Sequence, residues 1–194
     1  NPEQQIFSPT VREEVAFGPQ NLGLTAREVE ARVEAALERF RLNDVADSPP
    51  AILGYGLRRR VTLASLAAME PPILVLDEPT VGLDARGLAE TFDWLAELQT
   101  RGRTIVLVTH DMALAAEHAD SVVAMFEGQI LASAPPAEVF QEHELLSRAL
   151  LAAPPVLELA RALMPLGLKG DSLTVGSFVD EYTALIESRA EATP

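Results

Sequence analysis

Residues 73 to 87 read Ile-Leu-Val-Leu-Asp-Glu-Pro-Thr-Val-Gly-Leu-Asp-Ala-Arg-Gly, an apolar, strand-like run ending in an acidic pair and followed by a turn that carries Asp84. A second such run, Thr104-Ile-Val-Leu-Val-Thr109, delivers His110 and Asp111 in the same way. Between them Leu88, Phe92, Leu95 and Leu98 repeat at helical spacing, and Gly102 is placed to close that helix. Strand, helix and strand in this order predict an α/β core with parallel strands. In open sheets of this kind ligands gather beyond the carboxyl ends of the strands, where Asp77, Glu78 and His110 fall.

The chemistry of those residues follows from their type. Asp77 is suited to Mg²⁺, a hard ion that takes oxygen ligands and keeps several waters around phosphates. Glu78 is suited to orienting or deprotonating an attacking water, a role worth about 10²–10⁴-fold in rate. His110 is suited to donating to a terminal phosphate. His118 and His143 fall in helical or loop contexts and read as surface residues. With three scattered His and no Cys, a zinc site is not expected.

Upstream, Thr10-Val-Arg-Glu13 and Thr25-Ala-Arg-Glu28 both read as capping boxes that start helices. After the second, Val29, Val33, Leu37 and Phe40 mark a buried face. Asp47-Ser-Pro-Pro50 breaks the chain before a third helix expected over Leu57 to Met69. Downstream, Val122 to Phe126 and Ile130 to Ala132 suggest a hairpin around Glu127-Gly128-Gln129. Short helical stretches follow Pro135-Pro136, a further Pro-Pro break stands at 154 and 155, and a last helix is expected from Val175 to Glu187.

A length of 194 residues with 48% hydrophobic content suffices for one domain or two subdomains, and no apolar run reaches the length of a membrane span. The formal charge of -14, from 29 acidic against 15 basic residues, opposes binding to a phosphate backbone, so nucleic acid is not an expected partner. It leaves room for docking onto basic elements of a membrane protein. The chain opens on Asn1 with no leader pattern, which reads as a cut end.

The motifs resemble those of ABC ATPases. Ile73 to Thr80 is similar to the Walker B motif with its catalytic glutamate, Val81 to Gly87 to the D-loop, and Thr109-His110-Asp111 to the H-loop. Asn1 to Pro19 resembles the segment after the Q-loop glutamine in energy-coupling-factor (ECF) importers of the cobalt, nickel and vitamin type. Pro154 to Ala160 and Leu173 to Val175 are similar to the tails of the same ATPases. The resemblance implies a partial RecA-like P-loop NTPase core, its C-terminal half, with an ABC helical subdomain and a small C-terminal extension. The expected division is 1–70 for the helical subdomain, 71–145 for the core half and 146–194 for the extension. It also implies ATP and Mg²⁺ as cofactors, and a second ATPase subunit, identical or different, as partner. A transmembrane coupling subunit, a substrate-binding membrane subunit and a position on the cytoplasmic face of the membrane follow in the same way.

Two departures bear on that reading. The family's signature, usually Leu-Ser-Gly-Gly-Gln, aligns with Leu53-Gly54-Tyr55-Gly56-Leu57, so the serine and one glycine are replaced. In the family this motif opens a helix and directs N–H groups and the Ser hydroxyl at ATP held by the opposite subunit. Gly54 lacks that hydroxyl, Tyr55 adds bulk, and Gly56 keeps its backbone donor. A hydrogen bond to a charged group is worth roughly 1.5–3 kcal/mol, so a weak composite site is expected. The second departure is the Gly-rich phosphate loop, which has no counterpart in residues 1 to 194. Positioning dominates phosphoryl transfer, so the chain by itself is expected not to turn over ATP. Two alternatives stay open: a non-catalytic module that lends Asp84, Gly56 and its helical surface to an intact ATPase, and an ABC protein acting on ribosomes or DNA. Val81-Gly82, where translation-factor members usually carry Asn-His, and the acidity both weigh against the latter.

Overall fold

Side-chain caps start the first two helices. In the computed structural model, which describes residues 6–191, α1 (Val11–Asn21) begins at Thr10, whose hydroxyl accepts the Glu13 N–H at 3.2 Å. Glu13 does not complete the expected box. The neighbouring Glu14, buried by its place on the inner face, instead turns back to accept the N–H groups of Phe7 at 3.1 Å and Ser8 at 2.9 Å. At α2 (Ala26–Arg39) the box is complete: Thr25 accepts from the Glu28 N–H, and the Glu28 carboxylate accepts from the Thr25 N–H. The hydroxyl and N–H of Thr25 hold the Glu28 carboxyl below its ordinary value.

The third helix, α3, runs Tyr55–Met69 and so begins before the expected Leu57, because Gly54 in an extended conformation serves as its N-cap. Val29, Val33, Leu37 and Phe40 are all buried as their spacing requires, and they pack with Val11, Val15, Val61 and Leu63. The same cluster continues into Leu74 and Leu76 of β1 (Ile73–Asp77) and into Trp94, Leu95 and Leu98 of α4 (Ala85–Thr100). Phe40 meets Trp94 edge to face at 5.5 Å between ring centroids. Each fully buried large side chain of this kind stabilises by about 1.5–3 kcal/mol over exposure.

β1 pairs in parallel with β2 (Thr104–Val108), in register from Ile73 opposite Thr104 to Asp77 opposite Val108, with α4 as the crossover. Burial alternates along β1: Leu74 and Leu76 face the helices, while Ile73 and Val75 stay exposed. Gly102 adopts φ +73° just past α4 and donates to the Gln99 carbonyl at 2.8 Å, closing the helix as expected.

Residues through Val108 form one compact unit and residues from Thr109 a second. The second contains α5 (Met112–His118) and the antiparallel hairpin of β3 (Val122–Phe126) and β4 (Gln129–Ala134). Glu127 and Gly128 both take positive φ, as a two-residue hairpin turn matched to strand twist requires. Short helices α6 (Pro136–Gln141), α7 (His143–Ala149) and α8 (Pro155–Ala162) supply Val139, Phe140, Leu146 and Leu157 to a core around Ala124. The last helix, α9, extends over Val175–Glu191, past the expected end at Glu187. β3 pairs with β4 alone, so the parallel ladder has two strands among the described residues. No helix among those residues is long and apolar enough to cross a membrane.

Candidate functional site

Asp77 is the last residue of β1 and is exposed beside its partner Val108. The next peptide continues the ladder, since the Glu78 N–H donates to the Val108 carbonyl at 2.9 Å. Glu78 then turns into the left-handed region at φ +45°. A non-glycine residue pays about 1–3 kcal/mol for such a conformation and keeps it only where its surroundings impose it. Arg59 of α3 supplies that constraint. Its Nη2 donates to the carbonyls of Asp77 at 3.1 Å and Glu78 at 2.7 Å, and its Nε to the carbonyl of Pro79 at 3.3 Å. Both Arg59 and Pro79 are buried.

The first turn of α3 stands against the turn that follows β1. Gly82 takes φ +82°, and a Cβ built there would fall 2.1 Å from Cε1 of Tyr55, so the tyrosine ring lies directly over the glycine. A Cβ on Gly56 would come within 3.1 Å of the Gly82 carbonyl oxygen, whereas nothing lies within 4 Å of one on Gly54. Leu83 donates to the Thr80 carbonyl at 3.2 Å, closing the turn ahead of Asp84. Asp84 is the N-cap of α4: its Oδ1 accepts the Gly87 N–H at 2.7 Å and a bond from Arg60 Nη2 at 3.2 Å. The Gly87 N–H, and after it Arg60, hold the Asp84 carboxyl below its ordinary value. Arg60 also faces Glu90 at 3.5 Å, and Glu90 further pairs with Arg41 at 2.7 Å and Arg86 at 3.3 Å.

Asp77, Glu78, Gly54, Tyr55, Gly56 and Asp84 therefore all lie in the first unit. His110 lies in the second, exposed in the turn where Thr109 Oγ1 accepts the Asp111 N–H at 3.0 Å. Asp111 caps α5 by accepting from Ala113 and Leu114 at 3.0 and 3.1 Å. Among the described residues no three His, Cys, Asp or Glu side chains form a metal cage. An exposed carboxylate at a strand end suits an ion that retains its waters and shares ligands with phosphates, as Mg²⁺ does. Arg59 and Arg60, which hold Glu78 and Asp84, have no counterpart among the sequence-derived site residues. Their signal is the run Arg58-Arg59-Arg60, three cations together in an acidic chain.

A family model described as ABC transporter matches residues 2–81. The chain is 41% identical over 188 residues to the energy-coupling factor transporter ATP-binding protein EcfA of Methanoculleus marisnigri, covering 94% of this chain and 68% of that protein. It belongs to the ABC transporter ATP-binding family. The EcfA of Methanocaldococcus jannaschii is 44% identical over 163 residues, 84% of this chain and 58% of that protein. Among solved structures, cbiO1 from Clostridium perfringens, part of the ABC transporter complex cbiONQ, superposes with a TM-score of 0.63 at 38% identity, over 82% of this chain and 64% of that one. This chain thus spans 58% and 68% of the length of those two curated relatives. Its helices and parallel strands are part of the α/β P-loop NTPase fold of ABC ATPases, as the motifs imply.

Proposed function

We propose that this chain supplies the hydrolytic carboxylates of an ATP-binding subunit of an ECF-type importer, in which ATP hydrolysis drives uptake of metal ions or vitamins. The observation that carries the reading is the acidic pair Asp77-Glu78 at the carboxyl end of a parallel strand, with the Glu78 main chain fixed by Arg59. Asp77 would hold Mg²⁺, and the ion would neutralise phosphate charge when bound. Glu78 orients the attacking water and takes its proton. His110 donates to the terminal phosphate. Asp84, Gly54, Tyr55 and Gly56 face nucleotide held by a second ATPase subunit, with Gly56 offering its N–H group.

Residues 1–70 form the surface that meets a transmembrane coupling subunit, 71–145 the core half and 146–194 an extension, on the cytoplasmic face of the membrane. The substrate-binding membrane subunit, and with it the choice of solute, is separate. The phosphate-cradling loop comes from outside residues 1–194, which the partial coverage of the curated relatives supports, and the chain by itself is expected not to turn over ATP. A second reading, a non-catalytic partner module, draws support from the replaced signature, in which Tyr55 adds a ring that lies over Gly82.

The test is Mg²⁺-dependent ATP hydrolysis by the full-length protein with its partner subunits, wild type beside Asp77→Asn. Strong loss of Mg²⁺-dependent turnover in the variant supports the enzyme reading. Equal turnover in both sinks it, and no turnover in either favours the partner module.

A further inference from the structure

Arg59 is an unusual guanidinium for this chain: it is buried, and its hydrogen bonds run to three successive main-chain carbonyls, those of Asp77, Glu78 and Pro79. Burying a cation is costly unless strong acceptors replace water, and bonds from a charged donor are shorter and stronger than neutral ones. The placement of those acceptors is what matters. The Asp77 and Glu78 carbonyls belong to the two peptide planes on either side of the Glu78 Cα, and both are gripped by the same Nη2. The N–H in the first of those planes is gripped in turn by Val108. Fixing both planes fixes φ and ψ of Glu78, and so the direction in which its side chain leaves the backbone. Without the guanidinium, a glutamate at φ +45° has every steric reason to relax toward negative φ.

We infer that Arg59 is a positioning residue for hydrolysis, holding the left-handed kink at Glu78 that aims its carboxylate at the attacking water. This rests on the reading of Glu78 as the water-orienting carboxylate. Arg59 touches neither nucleotide nor water in this role; it acts through the main chain of Glu78. Its removal therefore lowers kcat and leaves ATP affinity in place, since the phosphate-binding groups lie elsewhere. Lysine, with one ammonium in place of a fork, reaches fewer of the carbonyls and restores part of the rate.

The experiment measures Mg²⁺-ATP turnover and ATP binding in the full-length protein with its partner subunits, for Arg59→Ala, Arg59→Lys and Arg59→Gln. The expected result is a kcat about 10- to 100-fold lower for Arg59→Ala, as a displacement near 1 Å at the reacting centre produces, with ATP Kd within about twofold of wild type. Arg59→Lys falls between the two. If Arg59→Ala does not fold, Arg59→Lys and Arg59→Gln are held to the same split. Wild-type kcat in the folded variants overturns the proposal, and so does a parallel loss of kcat and affinity, which marks a general packing role. Glu78→Gln separates this from the reading beneath it. If Glu78→Gln turns over at the wild-type rate, the role of Glu78 falls and that of Arg59 with it. If Glu78→Gln is inactive while the Arg59 variants are unchanged, the positioning role alone falls.

Discussion

The carboxyl end of β1 and the first turn of α3 flank the same Gly82 turn, yet they are built in opposite ways. At the strand end, Glu78 is fixed through its N–H by Val108 and through the flanking carbonyls by Arg59, in a conformation it would otherwise leave. At the helix start, Gly54 has no side-chain cap to offer and open space around it, and Tyr55 is 40% exposed over a bare glycine. The contrast teaches that conformational strain is held in place at the strand end, where the proposed function needs an aimed carboxylate, while the helix turn is left thin in hydrogen-bonding groups. On the proposed function, such a subunit should have a well-made hydrolytic end and a weak hold on nucleotide presented by its partner.

Four tests break or sharpen that contrast. The largest effect is expected from Glu78→Gln in the full-length protein, where ATP hydrolysis falls by about 10²–10⁴-fold while ATP binding persists. The opposite end should respond by gain. Gly54→Ser fits its open surroundings, returns a hydroxyl to the helix start, and should raise kcat/KM about tenfold, the low end of what a hydrogen bond to a charged group supplies. No change on adding the hydroxyl would mean that the α3 turn does not face nucleotide.

The contact between the two ends is tested by Gly82→Ala. A Cβ there meets the Tyr55 ring, and φ +82° is unfavourable for alanine, so urea unfolding should show a loss of about 1–3 kcal/mol. Adding Tyr55→Ala should recover the part due to the clash and leave the part due to φ, and simple additivity of the two changes would show that they do not touch. The smallest effect concerns Asp84. Its folded-state carboxyl lies below the ordinary value because of Gly87 and then Arg60, so its contribution is fully present above the unfolded value and is lost as pH falls through the folded one. The Tm difference between wild type and Asp84→Ala should be visible near pH ~6 and shrink toward pH ~3. A gap independent of pH would refute the charged cap.

Much of this was legible in the sequence where periodicity speaks. The two apolar runs at 73–76 and 104–108, with α4 between them, fold as the parallel crossover they spell, and Val29, Val33, Leu37 and Phe40 are buried as spaced. The α4 stripe was legible only in part: Leu95 and Leu98 are buried, but Leu88 and Phe92 are half-buried, while Thr91 and Trp94 complete the inner face. Thr91 enters it because its hydroxyl donates to the Gly87 carbonyl at 2.7 Å, a local solution that a count of apolar residues passes over. The box at Thr10 is half formed for a similar reason, since Glu14 and not Glu13 lies on the side of the incoming chain.

Of the candidate site, residue types at strand ends pointed to Asp77 and Glu78, and the family resemblance to Gly54, Tyr55, Gly56 and Asp84. Nothing in spacing reports that a guanidinium from α3 reaches three carbonyls beyond β1, or that Glu78 is left-handed, because both depend on how the helix packs against the strand. His110 follows β2 in sequence as expected and belongs to the second unit.

The most direct measurement is steady-state Mg²⁺-ATP turnover beside ATP binding for three full-length proteins with their partner subunits: wild type, Glu78→Gln and Gly54→Ser. The account predicts turnover lost in Glu78→Gln with binding retained, and turnover above wild type in Gly54→Ser. Turnover in Glu78→Gln equal to wild type would contradict it.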